Sequence, residues 1–182
     1  MAVADGQMGI HAGEKHIVLG LDPGRDKTGF AFVDGEGELI VSGIFPSGES
    51  GRFFAAVRAN FCGGDAHNSH GDALSEWMIE KVSPLPENIS SIAFIAIGNG
   101  THSKSFTQQV RAALSCKLLT VDESNTTLEA RTLYWKLHSP NFWMRLIPEG
   151  LRVPARVLDD LAAWSIAVRG LKKYRDINQN RL

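Results

Sequence analysis

HIVLGLDPGRDKTGFAFVDGEGELIVSGIF, residues 16–45, is the stretch that decides the fold. Residues 16–21 form a short run rich in Val, Ile and Leu, the pattern of a buried strand, and the run ends at an acid, Asp22. Pro23, Gly24, Arg25 and Asp26 are turn chemistry. GFAFVD (29–34) reads as a second strand, Gly35-Glu36-Gly37 as a hairpin turn, and ELIVSGIF (38–45) as the returning third strand. Three strands joined by such tight connections make an antiparallel meander.

Beyond Pro46 the period changes from two to between three and four. Phe53, Phe54, Val57 and Phe61 fall on one face of a helix over 50–61. Residues 62–72 are loop-like, and DALSEWMIEKV (72–82) reads as a helix stopped by Pro84 and Pro86. ISSIAFIAIG (89–98) is the most strand-like segment of the chain. A helix over 104–115, a strand over 117–122 and a helix over 127–137 follow. Residues 139–153 are irregular, with Trp135, Phe142 and Trp143 expected to fill core around them. Pro154 is placed in the first turn of a long, Ala-rich, largely apolar helix over 155–171. The expected architecture is one α/β domain over 16–171: a central mixed five-stranded sheet, its first three strands antiparallel, flanked by helices. Residues 1–15 are expected to be a flexible arm and 172–182 a basic tail.

The chain has 182 residues, 19 Lys and Arg against 20 Asp and Glu, and a net charge of -1. That length suits one domain and is too short for two lobes. The charge excludes a uniformly basic histone-like binder and an acidic solvating tail. Two cysteines, Cys62 and Cys116, suggest neither a disulfide framework nor a metal knuckle. No apolar run approaches the roughly 18 residues of a membrane span, and the first residues lack the pattern of a signal peptide, so a cytoplasmic protein is expected. The charge is unevenly spread. From Arg145 onward eight basic residues face four acidic ones, leaving that segment at +4 and residues 1–144 at -5. A solvated helical face and a phosphate-binding face beside an acidic site both fit that asymmetry.

Three carboxylate positions stand out. Asp22 ends the first strand, where a side chain can project beyond the sheet edge. Asp122 and Glu123 follow KLLTV, at the end of another strand, and Asp159 and Asp160 lie at the start of the last helix. Acids on an apolar helix need a partner or a metal, although the helix dipole also favours them there. Periodicity does not choose between Asp159 and Asp160. Three converging acids would form an oxygen-rich site for Mg²⁺ or Mn²⁺, able to support phosphodiester hydrolysis with no side-chain nucleophile. Gly24 and Gly29 fit a turn that a ligand approaches closely. Gly98, Gly100, Thr101, Ser103 and Lys104 open a helix whose N–H groups and hydroxyls suit a phosphate. Thr126 and Thr127 are either helix-start residues or phosphate contacts. Cys62, Asp65, His67 and His70 crowd one loop but match no standard zinc spacing. His102, beside the glycine loop, reads as an exposed histidine.

Four of these stretches resemble one family. DPGRDKTGFA (22–31) is similar to the DxGxx[RK]xGxA motif of the YqgF (RuvX) family, Holliday-junction-resolvase-like members of the ribonuclease H superfamily. IAIGNGT (95–101) is similar to that family's strand and Gly-rich loop, and its GNGT variant to the YqgF-like domain of the transcription factor Tex. DESNTT (122–127) resembles the DERxTT motif, and DDLAA (159–163) the closing DxxAA motif. The motifs occur in family order over roughly residues 16–171. The resemblance implies a ribonuclease H-like fold, with Asp22, Glu123 and Asp159 as catalytic acids and ligands for Mg²⁺ or Mn²⁺. It implies substrate contacts from Gly24, Arg25, Lys27, Gly98, Gly100, Thr101, Ser103, Lys104, Thr126 and Thr127. The chain departs from the pattern at Ser124, where the family has Arg, and at Lys27, where Arg is usual.

The function this implies is metal-dependent hydrolysis of structured nucleic acid, either processing of the 5′ end of pre-16S rRNA or resolution of branched DNA. The protein would act as a monomer or a homodimer, away from membranes. A non-catalytic nucleic-acid or ribosome-associated module on a nuclease-like fold is the alternative. A sugar-kinase or actin-like ATPase also shares a DxGxxxxG loop, but it needs two lobes.

Overall fold

The computed structural model describes residues 16–61, 72–84, 92–148 and 151–180. The chain opens with β1 (Ile17–Pro23), β2 (Lys27–Val33) and β3 (Leu39–Pro46), the expected meander, followed by α1 (Ser50–Phe61). Then come α2 (Asp72–Ser75), β4 (Met78–Lys81), β5 (Ile92–Gly98), α3 (Ser103–Ala113), β6 (Leu118–Val121), α4 (Thr126–Leu137), α5 (Phe142–Arg145) and α6 (Asp159–Gln179). The strands form one mixed sheet in the order β4-β3-β2-β1-β5-β6. Pairs from β4 through β1 are antiparallel, whereas β5 runs parallel to both β1 and β6.

The sheet has six strands rather than five. Residues 72–82 make one helical turn and then an edge strand, not the expected helix. Leu74 and Trp77 are buried and fix the turn, which releases residues 78–81 to alternate between half-buried and exposed along the open edge of β3. There Val41 pairs with Lys81 and Ser42 with Glu80, so backbone groups that would face solvent at that edge are bonded.

Alternation along β1 sends Leu19 and Leu21 to one face and Val18, Gly20 and Asp22 to the other. The first face is aromatic: Phe30, Phe32, Phe45, Phe53, Phe54 and Phe106 pack between the sheet, α1 and α3, with Phe45 and Phe53 stacked at 4.1 Å. The second face is built from small residues and covered by α6, which lies across β1, β2 and β5. A Cβ on Gly20 would stand 2.1 Å from the Ala163 carbonyl oxygen, so the helix backbone rests directly on the strand.

α6 differs from expectation at both ends. Pro154 lies outside it, and the helix starts at Asp159 after a bend at residues 155–156. At its far end it runs to Gln179, so most of the expected basic tail is helix. Tyr174 stacks on Phe94 at 4.9 Å and Ile177 packs on the same core, which extends the buried face past residue 171. Phe142 and Trp143 do not fill core; they are 71% and 74% exposed, and Trp135 is partly exposed. Among the described residues no helix is long and apolar enough to cross a membrane.

Candidate functional site

The parity that puts Asp22 on the α6 face does the same for its neighbours. On β2, Lys27 and Gly29 share the face of Ala31, and on β5 Gly98 shares the face of Phe94 and Ala96. The start of α6 settles onto this corner. A Cβ on Gly29 would lie 2.0 Å from the Asp159 carbonyl oxygen, so Gly29 admits the protein's own helix rather than a ligand. Asp159 is thereby held beside the end of β1, and Glu123, just past β6, closes the third side. Burial, then the charge of Glu123, then that of Asp159 push the Asp22 carboxyl up to about 7. The three acids that the sequence singled out do face one another.

Asp159 and Asp160 separate cleanly. Asp160 is fully buried and points the other way, accepting from the Ser42 hydroxyl at 2.8 Å and from the Arg156 guanidinium at 2.7 and 3.1 Å. Arg156 also donates to Glu80 Oε1 at 2.6 Å, which His138 Nε2 meets at 2.8 Å. Burial opposes ionisation of Glu80, but the His138 and Arg156 hydrogen bonds outweigh it and hold its carboxyl below the usual range. Asp160 is a structural acid that ties α6 to β3 and, through Arg156, to β4.

Asp159 Oδ2 is enclosed by protein. It lies 2.7 Å from Lys27 Nζ, an ion pair by distance, yet no donor among the described residues is aligned to hydrogen-bond it. Lys27, expected as a substrate contact, is therefore paired inside the acid cluster, with its side chain still 45% exposed.

Glu123 occupies the ground beside the glycine loop. A Cβ on Gly100 would meet its Oε1 at 2.3 Å and one on Gly98 its Oε2 at 2.8 Å. Asn99 Oδ1 accepts from the Glu123 amide at 3.2 Å. The loop expected to hold a phosphate thus wraps a carboxylate, while Thr101 and Lys104 are exposed and Ser103 is buried. Thr126 resolves as a helix-start residue: its hydroxyl donates to the Glu123 carbonyl at 2.9 Å and its amide to the same oxygen at 3.1 Å. Thr127 is exposed, Arg25 is exposed, and the Gly24 amide closes the turn onto the Lys27 carbonyl at 3.1 Å. Cys62, Asp65, His67 and His70 lie outside the described residues.

Ser124, standing where the family has Arg, turns inward to the loop. Its amide and hydroxyl donate to Asp122 Oδ1 at 3.1 and 2.8 Å and, with Arg169 nearby, hold that exposed carboxyl below the usual range. Sequence reasoning missed Arg169. It donates to the carbonyls of Asp122 and Ser124, at 2.6 and 2.8 Å, on either side of Glu123, and makes a bidentate pair with Glu129. Ser165, one turn earlier on α6, bonds the same Glu129. Two polar residues four apart on an otherwise apolar helix face were the available signal. Three of the eight basic residues of the C-terminal segment are committed in this way: Arg156 to Asp160 and Glu80, Arg169 to Glu129, and Arg175 to Glu36. Part of its charge is therefore answered within the fold.

The donor set suits a hard divalent cation. It is all oxygen, burial and then two neighbouring carboxylates raise the pKa of one acid to about 7, and one enclosed carboxylate oxygen lacks an aligned donor. Among the described residues no three His, Cys, Asp or Glu already stand at metal-ligand spacing, so the acids face each other without being gathered. No family model matches this chain, and no curated protein matches it significantly.

Proposed function

We propose that the protein is a metal-dependent phosphodiester hydrolase acting on structured nucleic acid, with Asp22, Glu123 and Asp159 as its acids and a ribonuclease H-like fold of the YqgF (RuvX) type. The observation that carries the reading is the convergence of these three carboxylates, from the ends of β1 and β6 and the start of α6, on one corner of the sheet. The strand order supports it as well: a three-strand antiparallel meander whose first strand is joined on its other side by two parallel strands, with β4 as an added edge.

A divalent ion held by the three acids would lower the charge of a phosphodiester and make an attacking water more acidic. The rest belongs to the chain. Asp22, Glu123 and Asp159 present oxygen from three elements, and the Gly98–Gly100 loop leaves room for the Glu123 side chain. Arg169 fixes the peptides on both sides of Glu123. Lys27, half-exposed and reaching Asp159, is the cation best placed to meet a phosphate oxygen at the rim.

One observation favours a second reading. Lys27 already balances Asp159, as in a nuclease-like module that binds nucleic acid without cutting it. Labelled four-way junctions and a pre-rRNA fragment, incubated with Mg²⁺ or Mn²⁺, separate the two. Wild type is expected to cleave at least one of them and Asp22→Asn neither; identical behaviour on both substrates removes the hydrolase reading. Salt-dependent binding without cleavage supports the module.

A further inference from the structure

The five most exposed large apolar side chains among the described residues all lie between α4 and α6: Phe142, Trp143, Leu146, Leu151 and Val153. Their segment is nevertheless ordered by polar bonds of its own. Asn141 accepts from the Met144 amide at 2.9 Å, Arg145 Nε donates to the Pro140 carbonyl at 3.1 Å, and Arg152 donates to the carbonyls of Ile147 and Arg145. Arg156 then anchors the segment to Asp160 and Glu80. Backbone contacts and the two ion pairs of Arg156 hold the shape, so the apolar side chains are not spent in holding it.

Arginine dominates the charge of this surface: residues 139–158 contain Arg145, Arg152 and Arg156 against one acid, Glu149, which lies outside the described residues, and neither Arg145 nor Arg152 forms an ion pair with a described residue. The Phe142 and Trp143 rings meet edge to face at 5.5 Å and 80°, offering two flat surfaces nearly at right angles. Flat rings beside guanidinium groups that form no ion pair with a described residue match a ligand that alternates flat bases with phosphates. Bases inside a duplex are already stacked on one another, so only an unpaired strand offers its faces.

We infer that this segment is the docking surface for a single-stranded stretch of nucleic acid, with bases stacked on Phe142 and Trp143 and phosphates met by Arg145 and Arg152. The inference rests on the hydrolase reading of the acid corner, because the segment runs directly into Asp159 and would guide an unpaired flank of the substrate to it.

Fluorescence anisotropy with a labelled oligothymidylate and a blunt duplex of equal length tests it, using wild type, the Phe142→Ala/Trp143→Ala double variant and Arg145→Gln/Arg152→Gln. Two stacked bases at the low end, ~1 kcal/mol each, predict about a thirtyfold or greater loss of single-strand affinity in the aromatic variant. Duplex binding should be little changed, and the melting temperature unchanged because both rings are exposed. The arginine variant should lose roughly 0.7 from the log–log salt slope per arginine. Unchanged single-strand affinity in the aromatic variant, or equal loss for duplex and single strand, overturns the inference. So does concentration-dependent self-association in sedimentation that this variant abolishes without affecting single-strand binding, since the occupant is then a second copy. Asp22→Asn keeps the two readings apart. Cleavage that needs Asp22 beside single-strand binding that ignores Phe142 and Trp143 sinks the docking surface alone. Loss of single-strand binding in the aromatic variant of a protein that cuts nothing sinks the hydrolase alone.

Discussion

Asp159 and Asp160 are separated by one peptide bond and live in opposite electrostatic worlds. Around Asp160 every charge is answered: a serine hydroxyl and both arms of a guanidinium meet it, and the same guanidinium reaches on to Glu80. Around Asp159 charge is left over. Two further carboxylates face the same corner, and a single lysine reaches in from the rim. A protein under selection for stability alone gains nothing from burying Asp22 where two other carboxylates also raise its pKa. The paired neighbourhood fixes the helix in place; the other, answered among the described residues only by Lys27, is where the proposed cation would bind.

The comparison breaks most readily on the paired side. Asp160→Ala leaves Arg156 and Ser42 without their buried partner, and a loss of about 3–5 kcal/mol is expected in urea unfolding. Where Asp160→Asn remains folded, it should keep metal-dependent activity while Asp159→Asn loses it. A smaller effect of opposite sign is expected at Asp22. Its folded pKa of about 7 exceeds the ordinary 3.8, so between those values the folded state keeps a proton that the unfolded state has lost. The protein therefore loses stability as pH rises from about 4 to about 7, and the full cost stands above that. In metal-free buffer Asp22→Asn should be stabilising by on the order of 2–4 kcal/mol at pH 8 and near neutral at pH 4, read from paired denaturation curves. Equal stabilisation at both values would show that the Asp22 pKa is not raised in the folded state. The smallest effect belongs to Lys27. Its pair with Asp159 is partly exposed, so Lys27→Gln should change stability by roughly 0–1 kcal/mol. It should also tighten Mg²⁺ binding in calorimetry, since a competing cation is gone.

Much of this was legible in the chain. The meander, β5, β6, α1, α3 and α4 have short-range causes, an alternating or helical period bounded by turn residues, and they stand within a few residues of expectation. The acidic positions at the ends of β1 and β6 and the start of α6 were legible because each sits at an element end, while the choice of Glu123 and Asp159 within them came from the family resemblance. What failed depended on distant partners. Residues 78–81 pair as a strand because β3 offers an open edge and Arg156, 76 residues away, meets Glu80. The last helix outruns its apolar period because Phe94 receives Tyr174. Periodicity left Asp159 and Asp160 open, because the contact that sets Asp160 apart is with Ser42, 118 residues distant. Trp143 looked like core because aromatic residues usually are, and the polar bonds that hold its segment without burial leave no periodic trace.

The contact between Gly29 and the main chain of Asp159 has a consequence for how the acid corner tolerates change. The height of Asp159 above the sheet is set by two main chains touching, so it does not drift as side chains change rotamer. A single methyl group inserted there would act as a shim. It would lift one acid away from the other two while leaving every charged atom in the protein intact, so the alignment of the corner is specified to less than the thickness of a methyl.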